Sequence, residues 1–264
     1  MARAMIFGLI ESGVSAADII GTTASEASAQ ALHDATGIAT GTDNQHAVAS
    51  AETVILAVKP QKMRDVCQAL QRVSGLENKL FISVAAGITS DSMAHWLGNP
   101  TLAIIRSMPN TPAQIQLGAI GAYANANTSA EQRDTAHRVL SSMGLAVWVE
   151  AEAQIDAVTA LSGSGAAYVY LFCELMQNAG EQLGLSADIS AQLAAQTFKG
   201  AGAMLVDSQI TAKQLRINVT SPNGTTEQAL KVFANRQLDA IVLEAMSAAN
   251  QRSQQLAAEL GSQE

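Results

Sequence analysis

Seven consecutive uncharged residues, Thr220-Ser221-Pro222-Asn223-Gly224-Thr225-Thr226, lie between two helical patterns and gather hydroxyls beside strong turn formers. Pro222 and the Asn223-Gly224 pair end one helix and force a tight turn. Thr225 and Thr226 stand where the next helix starts, ahead of the apolar series Ala229, Leu230, Val232 and Phe233. A helix start presents backbone N–H groups without partners, at the positive end of the helix dipole. The chemistry on offer is a seat for a small carboxylate flanked by hydroxyls. The same residues also read as an ordinary helix corner capped by threonine.

A second set of candidates lies at the ends of apolar runs: Ala57-Val58-Lys59-Pro60, Val84-Ala85-Ala86-Gly87 and Met108-Pro109-Asn110-Thr111-Pro112. In open α/β sheets ligands bind beyond the carboxyl ends of the strands. These ends are small and poor in polar groups, so backbone can approach a flat ligand closely. A dinucleotide lying along one crevice fits them, and plain strand-to-helix loop chemistry fits them equally.

The remaining reactive side chains are scattered. Cys67 and Cys173 each sit inside an amphipathic helical pattern without metal-ligand spacing, and His33, His46, His95 and His137 are mostly flanked by surface-type residues. No metal site is expected from them. A formal charge of −8, with no cluster of Lys and Arg, argues against a nucleic-acid surface. No leader and no apolar run long enough to span a bilayer is visible, so a soluble cytoplasmic protein is the expectation.

The elements that must position these residues fall into two regions. Over 264 residues, 48% hydrophobic, the chain can bury a large core. Residues 2–12 read as a helix, 18–21 as a short strand, and Ser25 caps a helix running to about Thr36. The apolar runs 53–58, 80–84 and 102–106 read as buried strands, with helices over 61–73 and 90–97. Strand 118–123, a helix around 129–143 and strand 145–149 complete residues 1–150. Such alternation implies βαβ units and a doubly wound parallel sheet. From residue 151 to 264 helical periodicity takes over, at 153–161, 164–183, 187–207, 211–218, 225–234 and 237–260. The Ala- and Gly-rich helix 187–207 reads as buried around most of its circumference, which implies a partner subunit.

One expected part is absent from the front. A dinucleotide domain normally opens with a strand and a Gly-rich turn that feeds the first helix. Here a helix starts at Met1, with Gly8 and Gly13 inside it and at its end. Without that central strand, neighbouring strand edges are left unpaired in the interior.

Taken together, these segments resemble the pyrroline-5-carboxylate reductases, the last enzymes of proline synthesis, from Met1 to about Leu256. The resemblance is carried by Ala57-Val58-Lys59-Pro60, Met108-Pro109-Asn110-Thr111-Pro112, Leu161-Ser162-Gly163-Ser164-Gly165 and Ser221 to Leu230. The last is similar to the family signature Ser-Pro-Gly-Gly-x-Thr ahead of a helix. Two residues depart from the family pattern: Asn223 stands for Gly and Ala166 for Pro. Asn tolerates a left-handed backbone, so the turn is expected to survive. Met1-Ala2 aligns with the end of the family's Gly-x-Gly-Asn-Met-Ala, which places that fingerprint immediately before residue 1. A misplaced start or a shortened chain accounts for this, and the chain as written is expected to bind cofactor poorly.

The resemblance implies a Rossmann-type domain, an all-α dimerisation domain, and NADPH- or NADH-dependent reduction of (S)-1-pyrroline-5-carboxylate to L-proline. It implies Thr226 as the polar contact to the ring nitrogen, backbone N–H groups from Ser221, Gly224 and Thr225 on the carboxylate, and Glu152 on the substrate side. For the cofactor it implies Lys59 and Pro60 beyond Ala57 and Val58, Ala85 and Ala86 near the nicotinamide, and Asn218 from the helical domain. Thr23, Ser25 and Asn44 are implied around the adenine ribose or a 2′-phosphate. No acidic residue ends the strand at Gly21–Thr23, which favours NADPH. The implied assembly is a homodimer, sometimes gathered into larger rings, with each site shared between one subunit's Rossmann domain and its partner's helices. Two alternatives remain: a related 3-hydroxyacid dehydrogenase, for which Lys199 and Lys213 are the candidate lysines though neither has the matching surroundings, and a dimeric remnant without a cofactor site.

Overall fold

The computed structural model describes residues 1–261. The chain gathers into two compact units, one formed by Met1–Ser164 with the chain from Ala249 onward, the other by Gly165–Ala248. The expected boundary near residue 150 falls earlier than this division. The difference is a short helix and a π-helical turn that belong to the first unit. Residues 262–264, at the end of the expected helical domain, lie outside the described residues.

In the first unit α1 (Ala2–Glu11) leads through a 3-10 turn to β1 (Ile20–Thr22), α2 (Glu26–Thr36), β2 (Ala39–Gly41), α3 (Asn44–Ser50) and β3 (Thr53–Leu56). Then come α4 (Pro60–Leu70), β4 (Leu80–Ser83), α5 (Ser90–Trp96), β5 (Ala103–Met108), β6 (Gly118–Ala124), α6 (Ala130–Ser141), β7 (Gly144–Trp148) and α7 (Gln154–Val158). Helix α7 runs on into the π-helical turn Thr159–Gly163.

Helix starts follow capping chemistry: Ser25, Asp43, Thr89 and Ser129 each accept a backbone N–H of their own first turn, and Gln132 completes a capping box with Ser129. The expected strand at 18–21 begins later. Ser15 caps a 3-10 turn over Ala16–Asp18, so extension starts only at Ile20. Strand β2 and helix α3 were not anticipated, being too short to show a period.

Strands β3 to β7 form one sheet in sequential order, and β1 pairs with β2 in a separate two-stranded sheet. The pairs β3–β4, β4–β5 and β6–β7 are parallel, as expected, but β5 and β6 are antiparallel. The link from Pro109 to Leu117 explains this reversal, since it is shorter than a parallel crossover needs. Among the described residues no strand joins β1 to β3, so the break expected at the front is visible inside the sheet.

Apolar side chains fill both faces. Val54, Leu56, Met63, Cys67, Phe81 and Met93 belong to one core cluster, and Met5, Ile82, Ile105, Ile120 and Leu140 to the other. Burial pushes the Cys67 thiol up to about 12, so it stays protonated and inert at neutral pH.

The second unit holds α8 (Gly165–Gln182), α9 (Ala187–Asp207), α10 (Ala212–Asn218), α11 (Thr225–Asn235) and the first part of α12 (Leu238–Gly261), whose last turns belong to the first unit. No residue of α8, α10 or α11 is buried, and α9 buries only Ser190 and Ala194. The sequence reads α9 as buried around most of its circumference with the help of a partner subunit, and within a single chain that cover is absent. Its small residues have no cover of their own. No helix among the described residues is long and apolar enough to cross a membrane.

Gly8 shows how tightly the first unit is closed. A methyl there would overlap the Ser142 backbone carbonyl at the end of α6. Gly8→Ala gains about 1 kcal/mol of helix propensity but incurs about 1–3 kcal/mol of overpacking. A net fall in the urea midpoint is expected; a rise would show that the two helices separate without cost.

Candidate active site

The candidate cofactor residues of the first unit fall at the carboxyl ends of neighbouring strands. Thr23 follows β1 and donates its hydroxyl to the Ser25 carbonyl at 2.9 Å, while Ser25 caps α2. Asn44 opens α3 beyond β2. Ala57 and Val58 follow β3, exposed Lys59 stands at the N-cap of α4, and Pro60 fills the first helical position, where its missing N–H costs nothing. Ala85 and Ala86 follow β4, and the Ala85 N–H donates to Ser83 Oγ at 3.2 Å. Gly87 has φ +71° and lies beneath Leu256 of α12, a conformation glycine adopts freely.

These donors suit a phosphorylated ligand. They offer the Asn44 amide and one exposed ammonium, while the Thr23 and Ser25 hydroxyls donate to the Ser25 carbonyl and to Ser28 Oγ. Two carboxylates flank them: Glu26 accepts the Thr42 hydroxyl at 2.8 Å, and Asp43 caps α3 beside Asn44.

The other candidates lie on the corner between α10 and α11 in the second unit. Asn223 has φ +58° and adopts the left-handed turn without glycine. The corner is not capped by threonine. Gly224 is the N-cap of α11, with no side chain to cap it, and Thr225 and Thr226 are its first helical residues. The Gly224 N–H is already given to the Ser221 carbonyl at 3.0 Å, which corrects its expected part in holding a carboxylate. That leaves the N–H groups of Thr225 and Thr226 at an amino end without a side-chain cap. Thr226 is exposed, and its hydroxyl makes no hydrogen bond within the described residues.

Glu227 braces the corner from behind, accepting the Asn223 N–H at 2.9 Å and pairing with Lys231 at 3.3 Å. The Asn223 N–H, helped by Lys231, holds its carboxyl below the ordinary range. This brace is in place above the ordinary carboxylate pKa and is lost as pH falls through the lowered one. Asn218 ends α10, and its side-chain oxygen accepts from Gln214 at 2.8 Å.

Glu152 has a different setting from the substrate contact expected of it. One oxygen accepts the Ser90 backbone N–H and the other the Ser90 hydroxyl, both at 2.7 Å. Arg106 Nη1 lies 3.5 Å from the same carboxylate, and Arg106 Nη2 lies 3.8 Å from Asp156. Asp156 in turn accepts the Ser253 hydroxyl of α12 at 2.6 Å. The Arg106 side chain is only 3% exposed, so this is a buried charge held between two carboxylates. It fixes the start of α5, just beyond Ala85 and Ala86.

Sequence reading missed Arg106, Asp156, Ser90 and Ser253. Arg106 had left a signal, a lone cation at the end of an apolar strand run. Asn110 was quoted only as part of a motif. In the structure it donates to the Ser162 carbonyl at 3.1 Å and accepts the Ala119 N–H at 3.0 Å, tying β5 to the π-helical turn.

Comparison with known proteins finds two family models. The one described as pyrroline-5-carboxylate reductase dimerisation matches residues 152–256, and the one described as NADP oxidoreductase, coenzyme F420-dependent, matches residues 1–87. A pyrroline-5-carboxylate reductase of Pseudomonas aeruginosa is 46% identical over 261 residues, covering 99% of this chain and 95% of the relative. The solved pyrroline-5-carboxylate reductase of Coxiella burnetii superposes with a TM-score of 0.93 at 38% identity, over 97% of this chain and 94% of that one. That of Plasmodium falciparum, with NADP bound, gives 0.83 at 26% identity, over 96% and 93%.

The buried cluster makes a stability prediction. Arg106→Met leaves Glu152 and Asp156 without their cation, and breaking a buried pair in this way costs about 3–5 kcal/mol. Adding Glu152→Gln is expected to recover part of that loss in urea unfolding. Simple additivity of the two changes would show that they do not share one network.

Proposed function

The chain belongs to the pyrroline-5-carboxylate reductase family, and from that premise we propose how its residues divide the work of reducing a cyclic imine. The reaction takes (S)-1-pyrroline-5-carboxylate, a proton and NAD(P)H to L-proline and NAD(P)⁺. The observation that carries the division is the amino end of α11, which has no side-chain cap and stands beside an unengaged Thr226 hydroxyl.

The N–H groups of Thr225 and Thr226 hold the substrate carboxylate at the positive end of the helix. Ser221 lines the turn next to them. Thr226 Oγ1 accepts a hydrogen bond from the iminium N–H, which keeps its proton, and so fixes which face of the C=N bond is offered. A protonated imine is already electrophilic, so placement is the main task left to the protein. This explains a site without a catalytic His, Asp or Lys. Glu152 serves the same end indirectly, by holding the start of α5 through Ser90.

The reduced nicotinamide, when bound, supplies the hydride. Ala85 and Ala86 beyond β4 lie near the nicotinamide, and Ala57, Val58, Lys59 and Pro60 beyond β3 lie along the adenosine–pyrophosphate path. Thr23, Ser25 and Asn44 meet the adenosine end, where no acidic residue ends β1, which favours the 2′-phosphate of NADPH.

The assembly we assign is a homodimer built on residues 165–248. The support is the large apolar surface these helices leave open: Leu171 is 52% exposed, Leu175 53%, Leu243 69% and Val206 85%. Continuous apolar area of this kind marks an association surface.

Two experiments follow. Thr226→Val removes a hydrogen bond to a charged nitrogen, expected to lower kcat/KM for the imine roughly tenfold to hundredfold and leave NADPH affinity intact. Lys59→Gln should do the reverse, weakening NADPH and sparing the imine; equal effects of both variants on both ligands would overturn the division of roles. Leu243→Asp is expected to shift the dimer towards monomer in sedimentation velocity, and an unchanged dimer would place the interface elsewhere.

A further inference from the structure

Residues 85–89, between β4 and α5, are held at both ends and pressed from one side. At the start the Ala85 N–H donates to Ser83 Oγ at 3.2 Å. At the far end Ser90 gives its N–H and its hydroxyl to Glu152, each at 2.7 Å. Between these ties Gly87 has φ +71° and turns its bare Cα towards the last turns of α12, which belong to the same unit. A Cβ on Gly87 would stand 3.2 Å from Leu256 Cβ and 3.5 Å from the Ala257 nitrogen, so α12 rests on the loop itself. The contact continues along the helix, where Leu260 packs on the core cluster that holds Ile88 and Met93.

A short hydrogen bond seats α12 in that place. The buried Ser253 hydroxyl donates to Asp156 Oδ1 at 2.6 Å, and Ser253 lies three positions before Leu256, on the same side of the helix. Asp156 and Glu152 are four positions apart on one stretch of chain. That stretch therefore clips the end of the loop, through Ser90, to α12, through Ser253. Arg106 between them is a looser partner: its contacts are 3.5 and 3.8 Å, and its Nε and Nη2 have no hydrogen-bond partner among the described residues. The guanidinium supplies charge, while the two serines set distance and direction.

We propose that Ser253 is a positioning residue for hydride transfer: by tying α12 to Asp156 it holds Leu256 on Gly87 and so fixes how closely Ala85 and Ala86 approach the nicotinamide. This rests on Ala85 and Ala86 being the nicotinamide wall. Neither residue has a polar side chain with which to steer the ring, so the place of the backbone does the steering. With the tie cut, the loop backs towards α12 and the ring follows, which slows the transfer without weakening the grip on the rest of the cofactor. Thr23, Ser25, Asn44 and Lys59 lie on other loops and keep their places.

The test compares Ser253→Ala, which removes the tie, with Ser253→Thr, which keeps the hydroxyl, and with Leu256→Ala, which removes the contact on Gly87 and leaves the buried cluster whole. Amide hydrogen exchange in residues 85–90 needs neither cofactor nor turnover, and Ser253→Ala and Leu256→Ala are each expected to speed it about tenfold. Exchange in α2 is expected to stay unchanged and serves as the check on folding. Both variants should lower kcat roughly tenfold at unchanged KM for NADPH and for the imine. Ser253→Thr should match the unaltered chain in every readout. Unchanged exchange in 85–90, an unchanged kcat, or a Ser253→Thr chain as impaired as Ser253→Ala overturns the proposal. Ala86→Leu, in the loop itself, separates the two layers. If it lowers kcat while Ser253→Ala does not, the role of Ser253 alone is wrong; if neither does, the loop as nicotinamide wall falls with it.

Discussion

A guanidinium out of water between two carboxylates is the constraint on which much of the first unit depends. Arg106 cannot be left unpaired at 3% exposure, and its partners come from different places. Glu152 lies between β7 and α7, Asp156 lies on α7, and each carboxylate then reaches on to a serine, Ser90 on α5 and Ser253 on α12. One charge at the end of one strand therefore sets where three helices begin or dock. The same strand carries Ser107, whose hydroxyl bonds the Ser83 carbonyl at 2.8 Å. The carboxyl ends of β4 and β5 are thus held in a fixed relation, and those ends present Ala85 and Ala86.

The candidate substrate corner is made differently. Its polar groups are mostly main chain: an N-cap without a side chain, a left-handed Asn223, and N–H groups at the start of an eleven-residue helix. A carboxylate held by backbone needs few side chains to recognise it, which leaves Thr226 as the distinctive one. Glu227 and Lys231 settle each other's charge next to it, so the corner presents no unpaired anion to an acidic substrate.

Much of this was legible in the sequence for definite reasons. Long helices showed their period, and the continuous apolar runs 53–58 and 80–84 gave β3 and β4 because both faces are covered. Helix α11 began where Thr225 suggested. The short elements were harder: β2 has three residues and α3 seven, too few for a periodic signal, with only Asp43 to announce the helix. The reversal between β5 and β6 depends on the length of one link and not on residue type. The pairing of Arg106 with Glu152 and Asp156 could not be read at all, because partners 46 and 50 positions away meet only in three dimensions. Glu152 shows the same limit, since its ties to Ser90, 62 positions away, leave no local pattern in the sequence. Helix α9 is the converse case: its small residues signalled cover from a partner subunit, and one chain indeed leaves nearly all of them uncovered.

The protonated, fully buried Cys67 has a further consequence. A thiol with a pKa near 12 and no exposed surface reacts with an alkylating reagent only when the packing around α4 opens. Cys173, half-buried on α8 in the second unit, is the other free thiol. The native chain thus carries a built-in timer in its first unit. The modification rate at Cys67 records how often the packing around α4 opens, with the accessible Cys173 as the internal reference.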